Sequence, residues 1–158
     1  MANGMIGNHP SHGNQLVHNL DTVVTGNVQL GRADSGKVFM CSQAAAVIVN
    51  LPKLSTDIAG WNARFVLKTA GGNDFTIFAW GLSAAGAGDS GVTNDGDTLI
   101  VKNVAVTDSG GATVSSKDGV FFDAGVSTVG DSFDVFTDGT NWYVTSFVET
   151  ADHTLEID

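Results

Sequence analysis

The chain has 158 residues, of which 42% are hydrophobic and 15% charged, with 20 glycines and a formal net charge of −10. This length favours one domain with a single core, and the apolar fraction is typical of a packed, turn-rich β protein more than of a disordered chain. The single cysteine, Cys41, excludes an internal disulfide and a zinc site built on paired thiolates, and we expect it to be a small buried side chain.

Negative charge is concentrated in the last quarter of the sequence. Residues 118–158 contain nine acidic residues and no lysine or arginine, whereas residues 1–117 contain seven basic and eight acidic residues. An acidic segment repels phosphate, so we expect no binding to nucleic acid and interpret this segment as solvated surface. The first residues lack a secretion-signal pattern and no apolar run is long enough to span a membrane, so we expect a soluble chain without membrane contact.

The first third of the chain predicts an arm followed by three strands. Residues 1–20 are rich in Gly, Asn and His, carry no Asp, Glu, Lys or Arg, and predict an extended N-terminal arm. Strand patterns follow at Asp21–Leu30, Lys37–Cys41 and Ala44–Pro52. Asp34-Ser35-Gly36 forms the turn before the second pattern, and the terminal proline of the third cannot continue a central ladder.

The middle of the chain predicts one helical turn and several further strands. Lys53–Ala63 is compatible with a single turn, because Ser55 or Thr56 can cap it and Gly60 can end it. The strand patterns, each bounded by turn residues, are Arg64–Thr69, Asp74–Trp80, Thr98–Val106, Ala112–Ser116 and Val120–Ala124. The first two flank Ala70–Asn73, which predicts a hairpin loop between them.

The most regular pattern is "GDSFDVFTDGTNWYV", Gly130 to Val144, which predicts a hairpin. A loop of only Asp138-Gly139 places Val135 opposite Trp142, and Phe133 opposite Val144. A longer loop over Asp138–Asn141 shifts this pairing, and both loops remain open. The predicted structural hairpin comprises Phe133, Val135, Asp138, Gly139, Trp142 and Val144.

Turn signals recur about every 8 to 12 residues and no helical period is sustained. This spacing predicts an all-β protein, with a single compact domain of the β-sandwich or jelly-roll type over residues 21–148. The extended arm over residues 1–20 precedes it, and a short acidic C-terminal tail over residues 149–158 follows. The tail has weak alternation and can add a strand to a neighbouring chain.

Several short motifs resemble catalytic or metal-binding sequences. Gly88–Gly91 reads GDSG and Gly130–Ser132 reads GDS, but neither serine has a base and an orienting acid placed as a catalytic triad requires. The arm histidines His9, His12 and His18 have no carboxylate or thiolate nearby to complete a metal site. We therefore expect no enzymatic activity, no metal and no cofactor.

Carbohydrate binding is a separate possibility, because tryptophan side chains stack on sugars. The chain has three tryptophans, Trp61, Trp80 and Trp142, and they fall in different predicted elements. A single tryptophan on a strand more often fills a core than forms a binding surface. We expect core filling for all three.

Two segments together resemble a known family. They are "VFMCSQAAAVIVNLPKLSTDIAGWNARFVLKTAGGNDFTIFA", Val38 to Ala79, and the hairpin sequence Gly130 to Val144. A strand ending in Leu-Pro, an Arg-Phe-Val strand and a late Asp-Gly-Thr-Asn-Trp-Tyr turn are similar to small decoration (cement) proteins on the heads of tailed bacteriophages. Related modules occur in phage tail fibres.

The resemblance implies a virion structural protein made in the host cytoplasm. Such a protein assembles as a homotrimer on the outer surface of the capsid and braces neighbouring major capsid protein subunits. The apolar residues of the arm, which we expect to contact the capsid, are Met5, Ile6, Leu16, Val17 and Leu20. The alternative is a tail-fibre or receptor-binding tip module that binds host surface glycan. A polysaccharide hydrolase is a third, less favoured function.

Overall fold

The computed structural model describes residues 23–79, 99–105, 113–117 and 119–149. These residues form ten β-strands and two single-turn 3-10 helices, so the predicted all-β class is confirmed. In chain order the strands are β1 (Val28–Gln29), β2 (Lys37–Ser42), β3 (Val47–Asn50), β4 (Asn62–Thr69), β5 (Phe75–Phe78), β6 (Leu99–Ala105), β7 (Thr113–Lys117), β8 (Gly119–Phe122), β9 (Ser132–Thr137) and β10 (Trp142–Val148). The 3-10 helices cover Arg32–Asp34 and Thr56–Ile58. The predicted arm lies outside the described residues, as does all of the predicted tail except Glu149.

The strands form two sheets. One has six strands in the order β2-β4-β9-β10-β6-β7, and the other has four strands in the order β1-β3-β5-β8. From β1 to β5 the chain alternates between the sheets, so strands that follow one another in sequence never pair. Each strand instead lies parallel to the strand two positions earlier, as β2 does with β4, and β3 with both β1 and β5. Parallel neighbours require a crossover connection, and here each crossover passes through the other sheet.

The prediction of a hairpin loop over Ala70–Asn73 is wrong, because the chain crosses from one sheet to the other there. The two strands that flank it, β4 and β5, belong to different sheets. The connection is anchored by Gln43, which is fully buried; its Oε1 accepts a hydrogen bond from the Gly71 amide at 2.9 Å, and its Nε2 donates to the Phe122 carbonyl at 2.9 Å. A Cβ atom on Gly71 would lie 2.6 Å from the Gln43 carbonyl oxygen, so the segment crosses between sheets where only glycine fits.

The first predicted strand is also shorter than expected. Of the predicted strand Asp21–Leu30, the structure describes residues 23–30, and among these only Val28–Gln29 forms a strand, while Val24 makes an isolated parallel bridge to Cys41. Asn27 supplies the reason, because its side-chain Oδ1 accepts the Ile48 amide hydrogen at 2.8 Å. A side chain thus satisfies a backbone donor that a longer ladder would use, and pairing with β3 stops there.

Both sheets contribute to one hydrophobic core. Phe122 of the four-stranded sheet and Phe133 of the six-stranded sheet have ring centroids 4.5 Å apart. Phe39 stacks on Phe65 with centroids 5.1 Å apart, and all four rings are buried. Burial of each such side chain contributes about 1.5 to 3 kcal/mol to folding. This core fixes the position of the β9–β10 hairpin relative to both sheets.

Candidate functional site

The β9–β10 hairpin has the longer of the two loops that the sequence allowed. Val144 lies opposite Val135, and Trp142 lies opposite Thr137, so the loop is Asp138–Asn141 and the two-residue alternative is wrong. The observed register is shifted by two residues from the register that the two-residue loop predicts. Because side chains alternate with a period of two, this shift leaves every side chain on the predicted side of the sheet. Phe133, Val135, Trp142 and Val144 accordingly all face inward, and each is at most 1% exposed.

Side-chain hydrogen bonds explain why the longer loop forms. The carboxylate of Asp138 accepts backbone N–H groups of Thr140 and Asn141 at 2.8 and 2.7 Å. Thr137 donates its hydroxyl to the Asn141 carbonyl at 2.6 Å, and the same hydroxyl oxygen accepts the Gly139 amide at 2.9 Å. These bonds satisfy the loop backbone without the tight pairing of a two-residue turn.

The loop rests on the connection before β4. Thr56–Ile58 is the predicted helical turn, with Ser55 at the N-cap position although its side chain makes no capping hydrogen bond there. Gly139 has φ +92°, and a Cβ atom there would lie 2.9 Å from the Ser55 carbonyl oxygen. The Asp-Gly pair is therefore required both for the turn and for this close contact.

On the inner side of the hairpin, the tryptophans fill the core as expected. The rings of Trp61 and Trp142 meet edge to face, with centroids 5.2 Å apart, and they are 2% and 0% exposed. The Trp61 Nε1 donates to the Gly31 carbonyl at 3.0 Å. Trp80 lies outside the described residues. Neither Trp61 nor Trp142 is available to stack on a sugar.

The outer side of the hairpin carries aromatic side chains that the core does not use. Phe136 and Tyr143 lie opposite each other on β9 and β10, and their rings stack with centroids 5.0 Å apart. Phe136 is 47% exposed. The Tyr143 hydroxyl donates to the Asp138 carboxylate at 3.0 Å, which raises the pKa of Tyr143. The pKa of Asp138 is lowered, chiefly by the amides of Asn141 and Thr140.

An ion pair lies beside this aromatic pair on the same side of the sheet. Arg64 of β4 donates through Nε and Nη2 to the two carboxylate oxygens of Asp134, each at 2.5 Å, and the contact raises the pKa of Arg64. Beyond the ion pair, Phe147 of β10 is 44% exposed. We call Phe136, Tyr143 and Phe147, together with the neighbouring Arg64–Asp134 pair, the outer aromatic face. Thr145, which lies opposite Asp134, separates Tyr143 from Phe147 along β10.

The sequence contained a signal for this face that the hairpin interpretation did not use. Phe136, Tyr143 and Phe147 alternate with the inward residues, so β9 and β10 have apolar residues on both sides. A strand with only one covered side normally has a polar outer side. Aromatic residues at outward positions are therefore the informative departure from the pattern.

The described residues that resembled catalytic groups have structural roles. Ser132 begins β9 and is 9% exposed. The buried Asp131 carboxylate accepts the backbone amides of Thr128 and Glu149 at 2.8 and 3.1 Å, which ties the turn before β9 to the end of β10. Cys41 is buried, and burial raises the pKa of its thiol, so the thiol stays protonated.

The remaining candidates of the sequence belong to segments other than those described. The segment Gly88–Gly91 and the expected capsid contacts and histidines of the arm lie outside the described residues; they are Met5, Ile6, His9, His12, Leu16, Val17, His18 and Leu20. Among the described residues no three His, Cys, Asp or Glu side chains are grouped as a metal site would require. Within the same residues, no helix has the length and apolarity needed to cross a membrane.

Comparison with protein-family models, with curated proteins and with solved structures found no match to this chain.

Proposed function

We propose that the chain is a virion structural protein that decorates the head of a tailed bacteriophage. In this proposal it binds the outer surface of the capsid as a homotrimer and stabilises neighbouring major capsid protein subunits. The proposal is supported by the resemblance of Val38–Ala79 and Gly130–Val144 to cement proteins, and by a surface suited to binding another protein.

The outer aromatic face is the observation that carries the proposal. Two phenylalanines, Phe136 and Phe147, are exposed by 47% and 44% on a central pair of strands. Exposed aromatic groups on a rigid surface are typical of protein interfaces, where aromatic and arginine side chains supply much of the binding energy. The Arg64–Asp134 pair beside them would give such an interface a defined orientation.

We also propose a β-sandwich as the finer description of the fold. Its support is the single core to which both sheets contribute. Of the eight strand pairings between described residues, four are parallel. Jelly rolls are antiparallel, so this pairing does not fit a jelly roll. The sandwich description depends instead on the packing of two sheets on one core. A compact body with both sheets fastened to one core suits a protein that acts as a brace.

The second candidate is a receptor-binding module that recognises host surface glycan. It is favoured by one observation, the stacked Phe136–Tyr143 pair beside the carboxylate of Asp138. An aromatic surface next to a hydrogen-bond acceptor has the composition of many ligand sites. Both candidates use the outer aromatic face, and they differ in what covers it.

Binding to capsids assembled without this protein tests the first candidate. We expect Phe136→Ser combined with Phe147→Ser to weaken binding at least about tenfold, which corresponds to about 1.4 kcal/mol. The matched control is Val126→Ser combined with Val129→Ser, because these valines are also exposed, by 43% and 66%, but lie in the turn region before β9. Equal loss in both variants would contradict a role for the outer aromatic face. If the unaltered protein binds oligosaccharides and does not bind capsids, the glycan-binding module is favoured.

A further inference from the structure

A groove lies where the described part of the chain begins. It has a volume of about 270 Å³ and is lined by five apolar residues, Val23, Val24, Val28, Leu30 and Phe39, together with Thr25, Gly26 and Asp34, whose carboxylate is paired with Lys37. Leu30 and Phe39 form its buried floor, at 4% exposure each, whereas Val24 and Val28 are only partly buried. The groove therefore continues the core outward to an open apolar surface.

The groove also lies at the edges of both sheets, where the described part of the chain begins. Val24 bridges Cys41 at the edge of the six-stranded sheet, and β1 forms the edge of the four-stranded sheet. Within the described residues, no strand lies beyond either edge. Ile77 lies beside Val49, and Val49 beside Val28, so each earlier part of the chain extends the same sheet by one parallel strand. The next part of the chain in this progression is the one that precedes Val23.

That preceding part has the composition to fill an apolar groove. Residues 1–20 contain no Asp, Glu, Lys or Arg, so their burial removes no formal charge from water. Three apolar residues, Leu16, Val17 and Leu20, precede Val23 by no more than seven positions. A chain of that length reaches the groove, because each residue spans about 3.3 Å when extended.

We propose that this groove is the docking site for the chain's own segment Leu16–Leu20. The side chains of Leu16, Val17 and Leu20 enter the groove and cover Val24 and Val28. The docking would divide the arm: the inner part completes the body, and Met5 and Ile6 remain for a partner. This inference does not depend on the proposed decoration function, because the docking is internal to the chain.

Nuclear magnetic resonance on the full-length, methyl-labelled protein tests the docking without any capsid. We expect through-space contacts between the methyl groups of Leu16, Val17 or Leu20 and those of Val28 or the ring of Phe39. We also expect the amide of Val17 to exchange with solvent at least about tenfold more slowly than amides near Met5.

Two arm variants separate docking from a general effect of the arm. Leu16→Ser, Val17→Ser and Leu20→Ser combined should shift the resonances of Val28 and Phe39 and abolish the protection. The matched control, Met5→Ser with Ile6→Ser, should leave the groove resonances unchanged. Neither variant alters the described body, so both proteins should remain folded.

Two results would overturn the docking inference. The first is the absence of contacts between Leu16–Leu20 and the groove, with amide exchange at Val17 as fast as at Met5. Groove resonances that respond equally to both arm variants would also overturn it. None of these measurements involves capsids. A failure of the docking inference can therefore be distinguished from a failure of the proposed decoration function.

Discussion

Replacement of Trp142 tests whether the hairpin fastens the core or serves a ligand. Its side chain is 0% exposed and meets Trp61 edge to face. Truncation of a buried aromatic residue to alanine costs about 3 to 5 kcal/mol of unfolding free energy, of which the aromatic pair accounts for about 0.5 to 1.5 kcal/mol. We therefore expect Trp142→Ala to lower the stability by about 4 kcal/mol.

A second substitution at the same position makes this prediction more specific. The Trp142 Nε1 is buried and has no hydrogen-bond partner among the described residues. An unpaired buried donor costs about 1 to 3 kcal/mol. Trp142→Phe removes that donor together with part of the ring, so the two effects oppose each other and the net loss should be only about 1 to 2 kcal/mol.

Urea unfolding followed by far-ultraviolet circular dichroism measures both variants. The slope with urea should stay close to that of the parent protein, because the surface exposed on unfolding changes little. Phe136→Ala is the matched control, since it removes an aromatic ring from the other side of the same hairpin, and it should cost less than about 1 kcal/mol. A loss below about 1 kcal/mol for Trp142→Ala would refute the assignment of this residue to the core.

Three further substitutions test the connections around the hairpin and between the sheets. Gly139→Ala should cost about 1 to 3 kcal/mol in urea unfolding because of its positive φ and the nearby Ser55 carbonyl, whereas Gly72→Ala, with open space around it, should be near neutral. Gln43→Ala leaves buried backbone groups without partners and should cost about 2 to 4 kcal/mol; a loss below about 1 kcal/mol would contradict the anchoring role. The lowered pKa of Asp138 means that its contribution to stability is present above its unfolded pKa and is lost as the pH falls through its folded pKa. Asp138→Asn should therefore lose less stability than the parent protein on acidification from about pH 6 to pH 3, and an identical loss would contradict the role of its carboxylate.

The existence of most strands was predictable, but their assignment to sheets was not. Alternation and turn residues identified β4 and β5 from local sequence. Local sequence contains no information on which distant strand each one pairs with, and the short connection over Ala70–Asn73 favoured a hairpin. The buried Gln43, which holds that connection, is a single polar residue whose partners are distant in sequence. Parallel winding through two sheets therefore becomes evident only in three dimensions.

The hairpin shows the same division between local and distant information. The inward positions of Phe133 and Trp142 followed from the period of two, which both candidate loops preserve. The choice of loop depended on hydrogen bonds of Thr137 and Asp138, which compete with a tight turn by small energies. The outward positions of Phe136 and Tyr143 also follow from the period of two, but their stacking depends on the longer loop, because only that loop places Phe136 opposite Tyr143.

Heating of capsids with and without this protein tests the decoration function most directly. Capsids assembled without the protein should bind it to saturation, in multiples of three copies at each site, and should then rupture at a higher temperature than unmixed capsids. The Phe136→Ser and Phe147→Ser variant should give little of this protection at the same concentration. Capsids that neither retain the protein after sedimentation nor gain heat resistance would contradict the account.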